Sequence, residues 1–274
     1  MPTTYNLIAV AFASSTDTAG QVTFSIDSGL AACITGGYTQ AQFIADIATA
    51  HSRGQKVILS IGGADGNVAI TDSTSASAFA TSASQLMNMY GFDGVDIDLE
   101  AGITPSAVAS ALQQLAGTNP GLIITLAPQT TDVTGPTADY FELALDLGNL
   151  LTMMNTQYYN SGSMIGCDGN VYAEGGVNFF TALACIQLED TSLNPNQIGL
   201  GASASASAAS SGVVAPSIVV DALDCLAAGT NCGTFVPPTK WPAIRGAMTW
   251  SINWDASNGY SFANTVSAAL GSLP

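Results

Sequence analysis

Two hydrophobic rhythms alternate along this chain. Short apolar runs without strict alternation read as buried strands, and longer stretches with apolar residues every third or fourth position read as helices. Residues 6–13 form the first continuous apolar run, almost at the start of the chain. Residues 39–53 carry Phe43, Ile44 and Ile47 at helical spacing, with Thr39 as N-cap and Gly54 as stop. A second buried strand at 56–63 ends in the pair Gly62-Gly63, and 75–90 is a helix through Phe79, Ala83, Leu86, Met87 and Tyr90, stopped by Gly91. Further strands fall at 92–100, 121–129, 149–160, 198–201 and 244–251. Further helices are predicted near 105–116, 138–147, 177–188, 216–227 and 262–270.

Strands that lack alternation and are each followed by a helix imply a parallel sheet covered on both faces. Such βα units, repeated over roughly 250 residues, predict a TIM (β/α)8-type barrel. The class is α/β, with seven strands identifiable and residues 1–274 forming one domain. A doubly wound sheet is the rival, but it announces itself with a Gly-rich phosphate loop, which this sequence lacks. Polar and aromatic residues gather where strands end, at Ser60, at Asp96 to Glu100, at Gln129, at Gln157 to Asn160 and at Trp250. In barrels the carboxyl ends of the strands form the active-site face. The Ser/Ala-rich stretch 202–212 reads as a mobile loop over that face.

One strand departs from the rest. Between Phe92 and Glu100, Val95, Ile97 and Leu99 alternate with Asp96, Asp98 and Glu100, so three acids share one face, roughly 6–7 Å apart. No Lys or Arg lies within the run. That electrostatic cost points to an acid–base site or a metal site. Asp93 is out of phase with the other three and takes a structural role.

Composition narrows the choice. Hydrophobic content is 47% with a mean hydropathy of +0.34, yet no uninterrupted apolar run reaches the length of about 18 residues that a spanning helix needs. Arg53, Lys56, Lys240 and Arg245 face 20 acids, for a net charge of −16. Nucleic acid and anionic membranes are excluded as partners, because both need clustered cations. Phosphorylated substrates are disfavoured for the same reason, and a neutral substrate is expected. With a single histidine, His51, and no CxxC, no zinc site is expected.

Of five cysteines, Cys225 and Cys232 flank a Gly-Thr-Asn turn, and Cys167 and Cys185 bracket a short excursion. Both pairs read as loop staples and imply an oxidising, extracellular setting. Cys33 is left over, either buried and inert or without its partner. The N-terminus has no basic region followed by an apolar core, so no signal peptide is expected in this chain.

The run Asp93-Gly94-Val95-Asp96-Ile97-Asp98-Leu99-Glu100 resembles the D-x-x-D-x-D-x-E signature of glycoside hydrolase family 18, the chitinases. Ser60-Ile61-Gly62-Gly63 resembles the family's S-x-G-G, and Ala127-Pro128-Gln129, Gln157-Tyr158-Tyr159-Asn160 and Thr249-Trp250-Ser251 resemble its later strand ends. The resemblance covers nearly the whole chain and is most like small, single-barrel bacterial chitinases. It implies a retaining, substrate-assisted hydrolysis of chitin or N-acetylglucosamine oligosaccharides, without cofactor or metal. Glu100 would protonate the glycosidic oxygen, Asp98 would hold the acetamido N–H, and Asp96 would share a proton with Asp98. Tyr159 would bond the acetamido oxygen. Gln157, Asn160, Trp250, Gln129, Ser60 and Phe12 would contact substrate, and Asp93, Gly62 and Gly63 would be structural. Trp241 and Trp254 suit either packing or sugar stacking, and Met153 and Met154 suit the core.

Only about 45 residues separate Leu200 from Ala247, too few for the α+β insertion of some chitinases, so an open groove and endo-action are expected. The run at 5–13 resembles the family's second strand, which implies that the first βα unit is missing and one sheet edge is open. A monomer is expected, or a dimer if a second chain covers that edge. An endo-β-N-acetylglucosaminidase acting on N-glycans shares the signature, and a non-enzymatic chitin-binding protein is a further alternative. A Mg²⁺ enzyme is opposed by the scarcity of phosphate-binding groups.

Overall fold

The computed structural model describes residues 1–244 and 246–274; Arg245 and the side chain of Ala31 lie outside the described residues. Two compact units divide the chain, one formed by Tyr5–Thr125 and the other by Leu126–Pro274 together with Met1–Thr4.

The first unit alternates strands and helices: β1 (Leu7–Ser15), β2 (Val22–Thr23), α1 (Ser28–Cys33), α2 (Gln40–Ser52), β3 (Lys56–Gly62), α3 (Ser73–Tyr90), β4 (Gly94–Asp98) and α4 (Pro105–Thr118). β5 (Ile123–Leu126) carries the boundary. The strand order here is β5-β4-β3-β1-β2, with β1, β3 and β4 parallel and β2 antiparallel to β1. Helix ends follow local chemistry. Thr39 and Gln42 close a capping box on α2, Asp72 and Ser75 close one on α3, and Gly91 adopts a left-handed φ of 84° that ends α3. Pro105 opens α4, where its missing N–H costs nothing. Phe24, Phe43, Tyr90 and Phe92 form an aromatic cluster, with Phe24 and Tyr90 edge-to-face at 5.2 Å.

β1 is the least covered strand of this sheet. Ala9 and Ala11 are exposed and only Ala13 is buried, whereas β3 is buried from Val57 to Gly62. Among the described residues, β2 is the last strand on that side of β1, and it pairs with Ser14 and Ser15 alone. Cys33 is free and exposed, which removes the buried alternative for it.

The second unit contains α5 (Asp139–Leu147), β6 (Met153–Gln157), β7 (Ser163–Ile165), β8 (Val171–Ala173), α6 (Val177–Leu188), β9 (Ile198–Ser203), α7 (Pro216–Ala228), β10 (Gly246–Trp250), α8 (Ile252–Ser257) and α9 (Ser261–Leu270). β6, β9 and β10 are parallel neighbours in the order β10-β9-β6. α6 is buried on nearly every side, through Phe179, Phe180, Leu183 and Cys185. Asp255, fully buried, caps α9 by accepting from Phe262 N at 2.8 Å and Ala263 N at 3.1 Å.

All seven strands read from the sequence are present, as β1, β3, β4, β5, β6, β9 and β10. The two-residue strand β2, the hairpin β7–β8 and the short helices α1 and α8 are additional. Both expected disulfides form, and each ties a loop cysteine to a helix, Cys167 to Cys185 of α6 and Cys232 to Cys225 of α7. No helix among the described residues is long and apolar enough to cross a membrane.

Candidate active site

In the first unit the acids lie where parallel pairing puts them. Every residue of β4 is buried, with Val95 and Ile97 fully enclosed and Asp96 and Asp98 at 6% and 8% exposure. Register sets Ser60 beside Asp96 and Gly62 beside Asp98, and side chains of paired residues leave the sheet on the same face. Ser60 Oγ donates to Asp96 Oδ2 at 2.6 Å. From the other flank, Thr125 Oγ1 donates to Asp96 Oδ1 at 2.5 Å. Burial pushes the Asp96 carboxyl above the usual carboxylate range, and the two hydroxyls oppose that rise.

The glycine pair after Ser60 explains itself on contact. A Cβ on Gly62, whose φ is +117°, would fall 2.2 Å from the carbonyl oxygen of Asp98. Gly63 N donates to that same oxygen at 2.7 Å. A Cβ on Gly63 would fall 2.7 Å from the ring of Phe12, which therefore packs directly on the glycine. The glycines thus fix the backbone at Asp98.

The strand stops at Asp98 rather than continuing to Glu100, because β3 itself ends at Gly62 and offers no further partner. Leu99 remains buried, and Glu100 is half-buried just past the strand end. Asp93, at the opposite end of β4, accepts from Lys56 Nζ at 2.8 Å and Val57 N at 2.9 Å and bonds His51 Nε2 at 2.8 Å. Burial alone would raise its carboxyl, but the bonds from Lys56, Val57 and His51 outweigh it and hold Asp93 below the usual range.

In the second unit Gln157 is buried at the end of β6, its Nε2 donating to Ala127 O at 2.8 Å. Gln129 is exposed and forms a parallel bridge with Gln157. The next two tyrosines diverge. Tyr158 is fully buried beside Phe179 and Phe180, with ring centroids 6.2 and 4.9 Å away, and burial pushes its hydroxyl pKa up. Tyr159 is 8% exposed. Asn160 has a left-handed φ of 55°, and its Oδ1 accepts from Ser210 N and Ser211 N at 2.8 and 3.1 Å. Those bonds anchor the stretch expected to be a mobile loop, whose first two residues, Ala202 and Ser203, belong to β9.

Trp250 ends β10, half-buried and opposite Ser203. Trp241 is buried in packing, and Trp254 stays 39% exposed. Met154 is fully buried, while Met153 is half-buried, with its sulfur against the backbone of Gly246. Two surface clefts, of about 630 and 660 Å³, flank the β7–β8 hairpin and contain none of these residues.

Thr125 is the residue that sequence reading missed. It sits in an apolar strand, ahead of Ala127-Pro128-Gln129 and outside that motif. The available signal was a lone hydroxyl in alternation with Ile123, on the strand that follows the acids.

An α/β chain whose acids gather at the carboxyl end of a central parallel strand has the architecture of a barrel enzyme. The chain belongs to Glycosyl hydrolases family 18, which it matches over residues 2–267, and the fold of that family is the TIM-barrel class read from the strand–helix alternation. It is 35% identical to Chitinase Chi52 of Paenibacillus xylanexedens over 96% of this chain and 56% of that protein. It is 32% identical to Exochitinase 1 of Streptomyces olivaceoviridis over 99% of this chain and 52% of that one. The chain thus spans about half the length of these curated relatives. Among solved structures, a putative Chitinase A from Streptomyces coelicolor is 51% identical with a TM-score of 0.95, covering 99% of this chain and 92% of that one.

Proposed function

We propose that this chain is one catalytic domain, an endo-acting chitinase that cleaves β-1,4 linkages between N-acetylglucosamine units with retention of configuration. The observation that carries the reading is the acid strand itself. Asp96 and Asp98 are buried in register with Ser60 and Gly62, and Glu100 stands at the strand end, all inside a family match that runs through both units.

Glu100 protonates the glycosidic oxygen as the bond to the anomeric carbon breaks. The substrate's own acetamido oxygen attacks that carbon and forms an oxazolinium ion, so no carboxylate nucleophile is needed. Asp98 accepts the acetamido N–H, and the Asp96–Asp98 pair, which shares one proton and so keeps one negative charge, balances the cation. Water then opens the ring, with Glu100 as base. Tyr159 bonds the acetamido oxygen, Trp250 stacks on the sugar, and Gln157, Asn160, Gln129, Ser60 and Phe12 complete substrate contact. Asp93, Gly62 and Gly63 act structurally. The scarcity of cations suits a neutral polysaccharide, and the two disulfides suit an extracellular monomer.

The test is product analysis on N-acetylglucosamine hexamer and on an N-glycan. Proton NMR at early times is expected to show the β-anomer first, and mixed oligomers are expected from the hexamer. Disaccharide alone from the first time point would overturn endo-action. Cleavage of the N-glycan in place of the hexamer would overturn the substrate.

A further inference from the structure

We propose that Thr125 is a positioning residue for the acid pair, its hydroxyl holding Asp96 as the charged acceptor so that the shared proton is left to Asp98. The inference rests on the chitinase reading for its kinetic consequence, and on geometry alone for the Asp96 contact.

Asp96 is clamped on both oxygens by hydroxyls from the two flanking strands, Ser60 on β3 and Thr125 on β5. An ionised carboxylate only accepts hydrogen bonds, whereas a protonated one must donate from one oxygen. Two donors therefore match the anion. Thr125 is 2% exposed, between Ile124 and Leu126. Valine has the same shape and would bury at no polar cost, so a threonine there keeps a hydroxyl that must be bonded. Its partner is Asp96.

The charged groups around this carboxyl are few. β4 itself contributes Asp98 two positions on and Glu100 beyond it. β5 brings no titratable side chain. β3 brings only Lys56, four positions from Ser60 and bonded to Asp93 at the far end. With no cation beside it among the described residues of these strands, Asp96 depends on its hydroxyl donors to carry charge. One proton is shared by the pair, and each donor that stabilises Asp96 as an anion moves that proton from Asp96 to Asp98. Asp98 then faces the acetamido group with one protonated oxygen and one free to accept.

The experiment compares wild type, Thr125→Val and Thr125→Ser by ¹³C NMR titration of the aspartate carboxyl carbons and by pH profiles of kcat and KM on N-acetylglucosamine oligosaccharides. In Thr125→Val the apparent Asp96 midpoint is expected to rise by about one pH unit. The acid limb of kcat should move up with it, with kcat at the optimum down about tenfold and KM little changed. Thr125→Ser should restore both. An unchanged Asp96 titration in Thr125→Val, or a shift that serine does not restore, overturns the proposal. If Thr125→Val fails to fold, Thr125→Cys, with a weak S–H donor, must show a partial shift in the same direction or the proposal falls. A wild type that turns over no oligosaccharide overturns the chitinase reading, while the carbon titration still decides what holds Asp96.

Discussion

Asp93, just ahead of β4, and Asp96, within it, lie three residues apart and meet opposite surroundings. Asp93 is held below the usual carboxylate range by Lys56, Val57 and His51, against the pull of its own burial. A depressed folded-state value stabilises the protein above the unfolded value of about 3.9 and ceases to do so as pH falls through the folded one. Asp93→Asn is therefore expected to lose about 1–2 kcal/mol near neutral pH, a figure discounted for the exposure of Lys56. Urea unfolding at pH 7 and pH 3 checks this, with the gap between wild type and variant smaller at the lower pH. Asp96 has the reverse sign. Burial raises it, so its contribution is full at low pH and is lost as pH rises through its folded value. At this scale the sequence showed the acids and their phase, because strand alternation is local. It did not show Thr125 or the ring of Phe12 against Gly63, because both contacts join positions far apart in the chain.

The end of β3 is an element built around the absence of side chains. Gly62 combines a φ of +117° with a backbone approach that leaves no room for Cβ, and Gly63 donates to Asp98 O. Gly62→Ala is expected to cost at least about 2 kcal/mol and to lower kcat/KM at least about tenfold, since relief of the clash must move Asp98. Urea unfolding and oligosaccharide kinetics measure the two effects, and a stable, fully active variant would contradict the account. Long periodic helices were legible to within a few residues, α6 at both ends, because their apolar stripes and caps are written locally. The β7–β8 hairpin was not. Its three-residue strands carry no periodicity, and its place is set by Cys167–Cys185 and by Cys167 N donating to Ala182 O.

For the whole chain, charge and family point the same way. A net charge of −16 with four Lys and Arg suits a neutral substrate better than one that needs clustered cations, and the match to Glycosyl hydrolases family 18 extends over residues 2–267. The strand–helix alternation was legible because β9 is buried throughout, and β3 and β5 in all but an end residue, so that they read as largely apolar runs, while β1 keeps that apolar pattern despite its exposed Ala9 and Ala11. The central claim is that Glu100 supplies the proton that cleaves the glycosidic bond. Its most direct test is the turnover of N-acetylglucosamine oligosaccharides by wild type and Glu100→Gln, each with and without EDTA. The account predicts wild-type turnover unaffected by EDTA and a loss of at least about 10²-fold in kcat for Glu100→Gln with binding retained. Wild-type activity abolished by EDTA, or a Glu100→Gln variant that still turns over at the wild-type rate, would contradict it.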